Sequence, residues 1–269
     1  MARRSRNSRR RKSREQWRRG IYVLPNLFTT ASLFSGFFAM VEAIHGNFMM
    51  ASLAILASLV FDGLDGKVAR ATKTVSRFGV EFDSLSDLVA FGVAPAILVY
   101  MWGLQPLGRL GFLAAFLFVA CGALRLARFN VQVEEVGTSH FVGLPIPAAA
   151  SVVCTLILMW LELGGTTPFE PWALVVIVFL LSFLMVSNIH YLSFKEMGLG
   201  KLKSFNWLVA ALLLFVLIAI QPQFMGFIML ASYVVGGPFA ARIMAKKKAA
   251  KAEAAARLQA TEQDRLPLS

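Results

Sequence analysis

Apolar runs about twenty residues long, almost free of charge, recur along this chain from Ile21 onward. Roughly 20 apolar residues are what a helix needs to cross the hydrocarbon core of a bilayer. Inside that core every backbone N–H and C=O must find a partner within its own segment, so each run is committed to helix. Eight spans are predicted, over 22–44, 47–65, 79–102, 109–127, 144–163, 171–191, 205–221 and 223–243. The expected fold class is an all-α polytopic membrane bundle of about eight transmembrane helices. Composition agrees: 57% of the 269 residues are hydrophobic and only 16% charged, with a mean hydropathy of +0.65. That excludes a disordered chain and argues against a soluble domain.

Charge sets the expected orientation. Lys67, Arg70, Lys73 and Arg77 follow the second span, and Arg125 and Arg128 the fourth. Lys195, Lys201 and Lys203 follow the sixth, and Lys246 to Lys248 the eighth; the opposite loops carry only Arg109. Basic residues mark cytoplasmic loops, so both termini are expected in the cytoplasm. The chain divides into a basic cytoplasmic segment (1–20), a transmembrane catalytic domain (21–244) and a cytoplasmic tail (245–269). Ten of the 27 basic residues lie between Arg3 and Arg19. They read as a topology signal, or as a surface for anionic lipid heads. A nucleic-acid partner is not expected, because no interleaved aromatic pattern accompanies the charges. The apolar stretch that follows is too long for a cleaved signal peptide and lacks a small-residue cleavage site. Cys121 and Cys154 lie in apolar runs and suggest neither a disulfide framework nor a zinc site.

The chemistry concentrates in one segment. Asp62 and Asp65 are three residues apart, and Asp83 and Asp87 four apart, so each pair shares a helix face. Carboxylates at a membrane are costly unless they face a cavity or a partner. A hairpin of the second and third spans brings the pairs together, and four converging carboxylates call for cations. An all-oxygen set suits Mg²⁺, Mn²⁺ or Ca²⁺, and four charges match two divalent ions. Gly66 and Gly79 remove side chains from the same stripes and leave room for a ligand; Arg70 is placed to meet a phosphate. Solvated helix ends account for one or two such aspartates but not four at helical spacing. Gly66-Lys67 is not a phosphate-binding P-loop, since Val68 follows it, and the aspartates lack EF-hand spacing. His45, His140 and His190 are scattered and read as structural or interfacial.

These residues resemble a known signature. D-x2-D-G-x2-A-R-x8-G-x3-D-x3-D, the mark of the CDP-alcohol phosphotransferases, is matched without a gap by Asp62, Asp65, Gly66, Ala69, Arg70, Gly79, Asp83 and Asp87. The signature covers 26 residues. Further segments resemble the serine-using, integral-membrane branch of that family: Leu24 to Thr30, Arg125 to Val131, Gly143 to Pro147 and Ser187 to Lys195. One departure is Ser32, where that branch suggests Asn.

The resemblance implies transfer of a phosphatidyl group from CDP-diacylglycerol to L-serine, giving phosphatidylserine and CMP. It implies Mg²⁺ or Mn²⁺ held by Asp62, Asp65 and Asp83, with Asp87 near the second ion and acting as general base. It places Asn26, Thr29, Gly66, Ala69, Arg70 and Gly79 around the CDP moiety. Arg125, Arg128, Asn130, Ser193 and Lys195 are candidates for holding serine, though the arginines also satisfy the positive-inside pattern. A homodimer in a prokaryotic inner membrane, with its site at the cytoplasmic face, is expected. Two alternatives stay open: the same chemistry with glycerol 3-phosphate, inositol or choline, and a divalent-cation transporter built on the same carboxylates.

Overall fold

The structure, a computed structural model, describes residues 24–72, 74, 76–136, 143–165, 170–189 and 220–237. It is all-helical over these residues. Helix α1 spans Leu24–Ile44 and α2 Phe48–Thr72. Helix α3 runs from Arg77 to Leu107 and α4 is Arg109–Val136. Then come α5 (Ile146–Glu162), α6 (Pro171–Val186) and α7 (Pro222–Gly237).

The expected count of eight spans is corrected by these lengths. Among the described residues four helices, α1 to α4, are long and apolar enough to cross a membrane. Helices α5 and α6 have 17 and 16 residues, a rise of roughly 25 Å against a core of about 30 Å. The apolar runs are longer than the helices they contain. Pro145 holds the chain extended before α5, Gly164 turns it away at φ 76°, and Ser187 is already extended after α6. Helix α7 is also short, and the expected span 205–221 lies almost wholly outside the described residues. The helix that carries Asp62 and Asp65 continues past the apolar run to Thr72, so Gly66 and Arg70 follow them on the same helix.

Helix α1 packs through a stripe of small residues: Thr29, Ser32, Gly36, Ala39 and Ala43, all buried. Small residues let helix backbones approach closely in a membrane. Ser58 Oγ donates to Ser32 O (3.0 Å), Ser32 Oγ donates to Ser58 O (3.2 Å) and Ser35 Oγ donates to Ala54 O (2.8 Å), tying α1 to α2. Ser32, the departure noted in the sequence, is thus one half of a reciprocal pair between helices. Such bonds contribute about 0.6 kcal/mol each in membrane bundles. At Gly36 a methyl group would lie 2.7 Å from Ala90 Cα, so α1 and α3 cross there almost backbone to backbone.

Helix α3 is not uniform. It is α-helical over Arg77–Asp87, widens into a π turn over Leu88–Val93, resumes over Ala94–Val99 and widens again over Tyr100–Leu104. The wide turns accompany Pro95 and Pro106. Proline lacks an N–H and its ring collides with the carbonyl four residues back, and a wider turn relieves both problems. The core lies where α3, α4 and α5 meet, around Phe91, Leu98, Phe118, Ile146 and Ile157. Helix α6 packs along α4, and α5 along α2. Phe34, Phe37, Phe112, Phe116 and Phe183 point outward, as expected of a face that meets lipid.

Candidate active site

Pro25, Asn26 and Thr29 of α1, Asp65, Gly66, Ala69 and Arg70 of α2, Thr74, and Ser76, Gly79, Val80 and Asp83 at the start of α3 line a cleft of about 190 Å³. The local reasons are legible. Ser76 caps α3, its Oγ accepting from the Gly79 N–H at 3.0 Å, which satisfies one of the free donors of the first turn. Thr72 folds back to donate to Val68 O at 2.7 Å, and the Thr74 N–H donates to Ala69 O at 3.0 Å. These bonds close the end of α2 and turn the chain toward α3.

Both signature glycines sit in the cleft wall. A methyl group on Gly66 would come 3.3 Å from Arg70 Nη1, so the guanidinium lies back over the bare turn. One on Gly79 would come 3.1 Å from Ser76 Oγ and 3.5 Å from Asn26 Oδ1. Arg70 is exposed and Asn26 half-buried.

The carboxylates converge. One oxygen each from Asp62, Asp83 and Asp87 lies within 4.8 Å of the others. Asp62 faces Asp87, and Asp65 faces Asp83. Asp65 is buried, and its Oδ2 accepts from Thr29 Oγ1 at 2.8 Å. The donor set fits a hard divalent cation on the protein's own terms. Every ligand is a carboxylate oxygen, and Asp83 Oδ1 is buried without a hydrogen-bond partner, which is costly for a charged oxygen unless an ion satisfies it. The cluster is able to coordinate a divalent metal ion.

The strand of side chains around Asp83 and Asp87 is held from both sides. Ser86 Oγ donates to Thr29 O of α1 at 3.1 Å. Asn130 Nδ2 of α4 donates to Ser84 Oγ at 3.0 Å. Arg125, one turn earlier on α4, is buried at 8% exposure. Its guanidinium lies 5.5 Å from the centre of the Phe129 ring. Its Nε has no hydrogen-bond partner, and Asp87 and Tyr233 are its charged and polar neighbours. Arg128 points elsewhere: its Nη2 donates to Asn188 Oδ1 at 2.7 Å and its Nη1 to Val186 O at 3.4 Å, closing the end of α6. Gly143 belongs to the same junction. It has φ +86°, its N–H donates to Ile189 O at 2.9 Å, and a side chain there would strike Met185 O.

The structure therefore brings together Asn26, Thr29, Asp62, Asp65, Gly66, Ala69, Arg70, Gly79, Asp83 and Asp87, with Arg125 beside Asp87 and Asn130 one residue from Asp83. It ties Arg128 to α6 instead. Ser193 and Lys195 lie outside the described residues. Sequence reasoning missed Pro25, Thr74, Ser76 and Val80 in the cleft wall, and Ser84, Ser86 and Tyr233 around the carboxylates. Ser76 carried a usable signal, a serine three residues before Gly79 at the start of an apolar periodic stretch; the others are tertiary neighbours with none.

The chain is similar in sequence to several known proteins. A protein named CDP-diacylglycerol–serine O-phosphatidyltransferase from Helicobacter pylori is 47% identical over 179 residues, covering 65% of this chain and 74% of that protein. Its namesake from Bacillus subtilis is 35% identical, covering 68% of this chain and 98% of that protein. An archaetidylserine synthase from Methanothermobacter thermautotrophicus is 37% identical, over 65% of this chain and 72% of that protein. The sequence model of the CDP-alcohol phosphatidyltransferases matches residues 22–177, which hold the cleft, all four carboxylates and Arg125. By that match and by its relatives, this integral membrane chain belongs to the CDP-alcohol phosphatidyltransferase family.

Proposed function

We propose that this chain transfers a phosphatidyl group from CDP-diacylglycerol to L-serine, releasing CMP. The observation that carries the reading is the convergence of Asp62, Asp83 and Asp87 beside a cleft lined by Asp83 and Arg70. The names of the relatives supply the donor and the acceptor.

The reaction needs a diphosphate held still, an alcohol deprotonated and a nucleotide released. Arg70 binds a phosphate oxygen, and Asn26, Gly66, Ala69 and Gly79 shape the wall against the CDP moiety. Asp87 accepts the proton of the serine hydroxyl as that oxygen attacks the phosphorus bearing the diacylglycerol. A new P–O bond forms to serine as the P–O bond to CMP breaks, and the electron pair leaves on CMP. Lewis-acid neutralisation of the diphosphate is the chemistry that divalent cations held by these carboxylates contribute.

Charge counting supports two ions, Mg²⁺ or Mn²⁺. Of the four carboxylates, Asp65 has Arg70 as a charged neighbour and Asp87 has Arg125. With substrates bound those guanidiniums are taken up by the phosphate and the serine carboxylate, so the four carboxylate charges match two divalent ions. Asp62, Asp65 and Asp83 would hold the ions, with Asp87, whose carboxylate lies within 4.8 Å of Asp62 and Asp83, near the second. Arg125 takes the serine carboxylate: it is a buried guanidinium beside Asp87 whose Nε has no hydrogen-bond partner, and a charge buried at this depth points to a functional role. The basic residues Lys67, Arg70, Lys73 and Arg77 around the α2–α3 connection, with Arg125 and Arg128 in the second half of α4, support a site at the cytoplasmic face, where serine is found. The catalytic unit is 21–244, and family resemblance supports a homodimer.

The test is CMP release by purified protein in detergent, with CDP-diacylglycerol, Mg²⁺ or Mn²⁺, and one acceptor at a time. Serine-dependent release abolished by chelator is expected. Release only with glycerol 3-phosphate, inositol or choline would refute the acceptor. Metal flux in vesicles without CMP release would refute the enzyme.

A further inference from the structure

Thr29 was expected at the nucleotide, yet its hydroxyl is committed elsewhere. The residue is 3% exposed. Its Oγ1 donates to Asp65 Oδ2 at 2.8 Å, with a longer contact to Pro25 O at 3.2 Å. A hydroxyl has one proton to give, and the shorter bond takes it to the carboxylate. The backbone carbonyl of the same residue accepts from Ser86 Oγ at 3.1 Å, and Ser86 stands between Asp83 and Asp87 with 1% exposure. Among the described residues Thr29 thus joins the carboxylate pair of α2 to that of α3 through α1.

We propose that Thr29 is a positioning residue of the metal site: its hydroxyl fixes the plane of the Asp65 carboxylate, and its carbonyl fixes the height of the Asp83–Asp87 turn. The inference rests on the reading that Asp65 holds a divalent ion. A ligating carboxylate free to rotate binds more weakly, and losing an outer-sphere partner of a ligand costs about 10–100-fold in metal affinity. With Oδ2 held by Thr29, the Asp65 carboxylate is fixed while it faces Asp83. The burial of all three residues keeps water from replacing the bond.

The experiment compares wild type, Thr29→Val, Thr29→Ala and Thr29→Ser as full chains in detergent. Mn²⁺ affinity is read from the electron paramagnetic resonance of the free ion, and CMP affinity by calorimetry at saturating Mn²⁺. Thr29→Val and Thr29→Ala should each weaken Mn²⁺ binding by roughly tenfold or more. Thr29→Ser, which keeps the donor, should stay within about twofold of wild type, and CMP affinity at saturating Mn²⁺ should be unchanged in all four. Unchanged Mn²⁺ affinity in Thr29→Ala overturns the proposal, as does weakened CMP binding at saturating Mn²⁺, which would return Thr29 to the nucleotide. Neither readout uses turnover, so the proposal can fail while phosphatidyl transfer to serine stands, and the reverse.

Discussion

Replacing Gly36 by alanine should disable the site from about two helical turns away. A methyl group at this position would stand 2.7 Å from Ala90 Cα and 2.9 Å from Ala90 Cβ. Ordinary contact begins at 3.4 Å, so α1 and α3 must part by about 0.7 Å. No flexible side chain can yield instead, because the obstacle is backbone. Gly36 lies seven residues after Thr29, on the same stripe of α1. Parting the helices therefore stretches the Ser86–Thr29 bond, which is already 3.1 Å, and shifts the Asp83–Asp87 turn away from the carboxylates of α2. Overpacking of this kind costs typically 1–3 kcal/mol of stability, and a misplacement of about 1 Å in a catalytic array costs about 10²-fold in rate. Turnover of Gly36→Ala should fall by roughly one to two orders of magnitude. Gly63→Ala is the matched control. It lies between two of the aspartates, but its methyl group would meet nothing within 4 Å. That substitution should leave turnover unchanged and stabilise the helix by about 1 kcal/mol. The assay is serine-dependent CMP release together with thermal unfolding in detergent. Full activity in Gly36→Ala, or equal losses in both variants, would refute the argument that α1–α3 spacing sets the carboxylate geometry.

Two further outcomes follow from the site. Asp87→Asn keeps the shape and removes the proton acceptor, so turnover should drop by about 10²–10⁴-fold, while thermal unfolding and much of the Mn²⁺ binding survive; retained turnover would remove Asp87 as the base. Arg125→Met fills the buried space without charge and should raise KM for serine by roughly tenfold or more, with CMP affinity unchanged. A variant that loses CMP binding and keeps its serine KM would place Arg125 at the nucleotide.

The carboxylate site was legible in the sequence because its chemistry is local. Asp62 to Arg70 and Gly79 to Asp87 are two stretches of single helices, and within one helix spacing determines facing. The residues that hold those stretches in register were not legible. Thr29 is 36 residues from Asp65 and Asn130 is 46 from Ser84, and nothing in a lone threonine or asparagine announces such a partner. The arginines show the same limit. Arg125 and Arg128 look alike in the sequence, three residues apart in one basic cluster. They stand only about 60° apart around α4, so spacing does not separate them; packing puts the first beside Asp87 and the second at the end of α6.

The number of membrane-length helices was misread for a different physical reason. Hydropathy measures how long a segment is willing to stay out of water, whereas helix length depends on where the backbone is interrupted. Pro145 and Ser187 interrupt it inside apolar runs and Gly164 stops it at the edge of one, and a hydropathy window cannot see that. Helix α3 shows the converse. Pro95 stands inside it, yet the helix runs on to Leu107 because the wide turn just before the proline absorbs it. This continuity matters for the site. Were α3 regular beyond Asp87, the stripe of Gly79, Asp83 and Asp87 would extend to Phe91. The π turn that begins at Leu88 shifts the register instead, and Phe91 is buried in the core at 1% exposure. The face that carries the carboxylates thus ends where the hydrophobic core begins, so one helix serves a charged cleft at one end and a close-packed interior at the other.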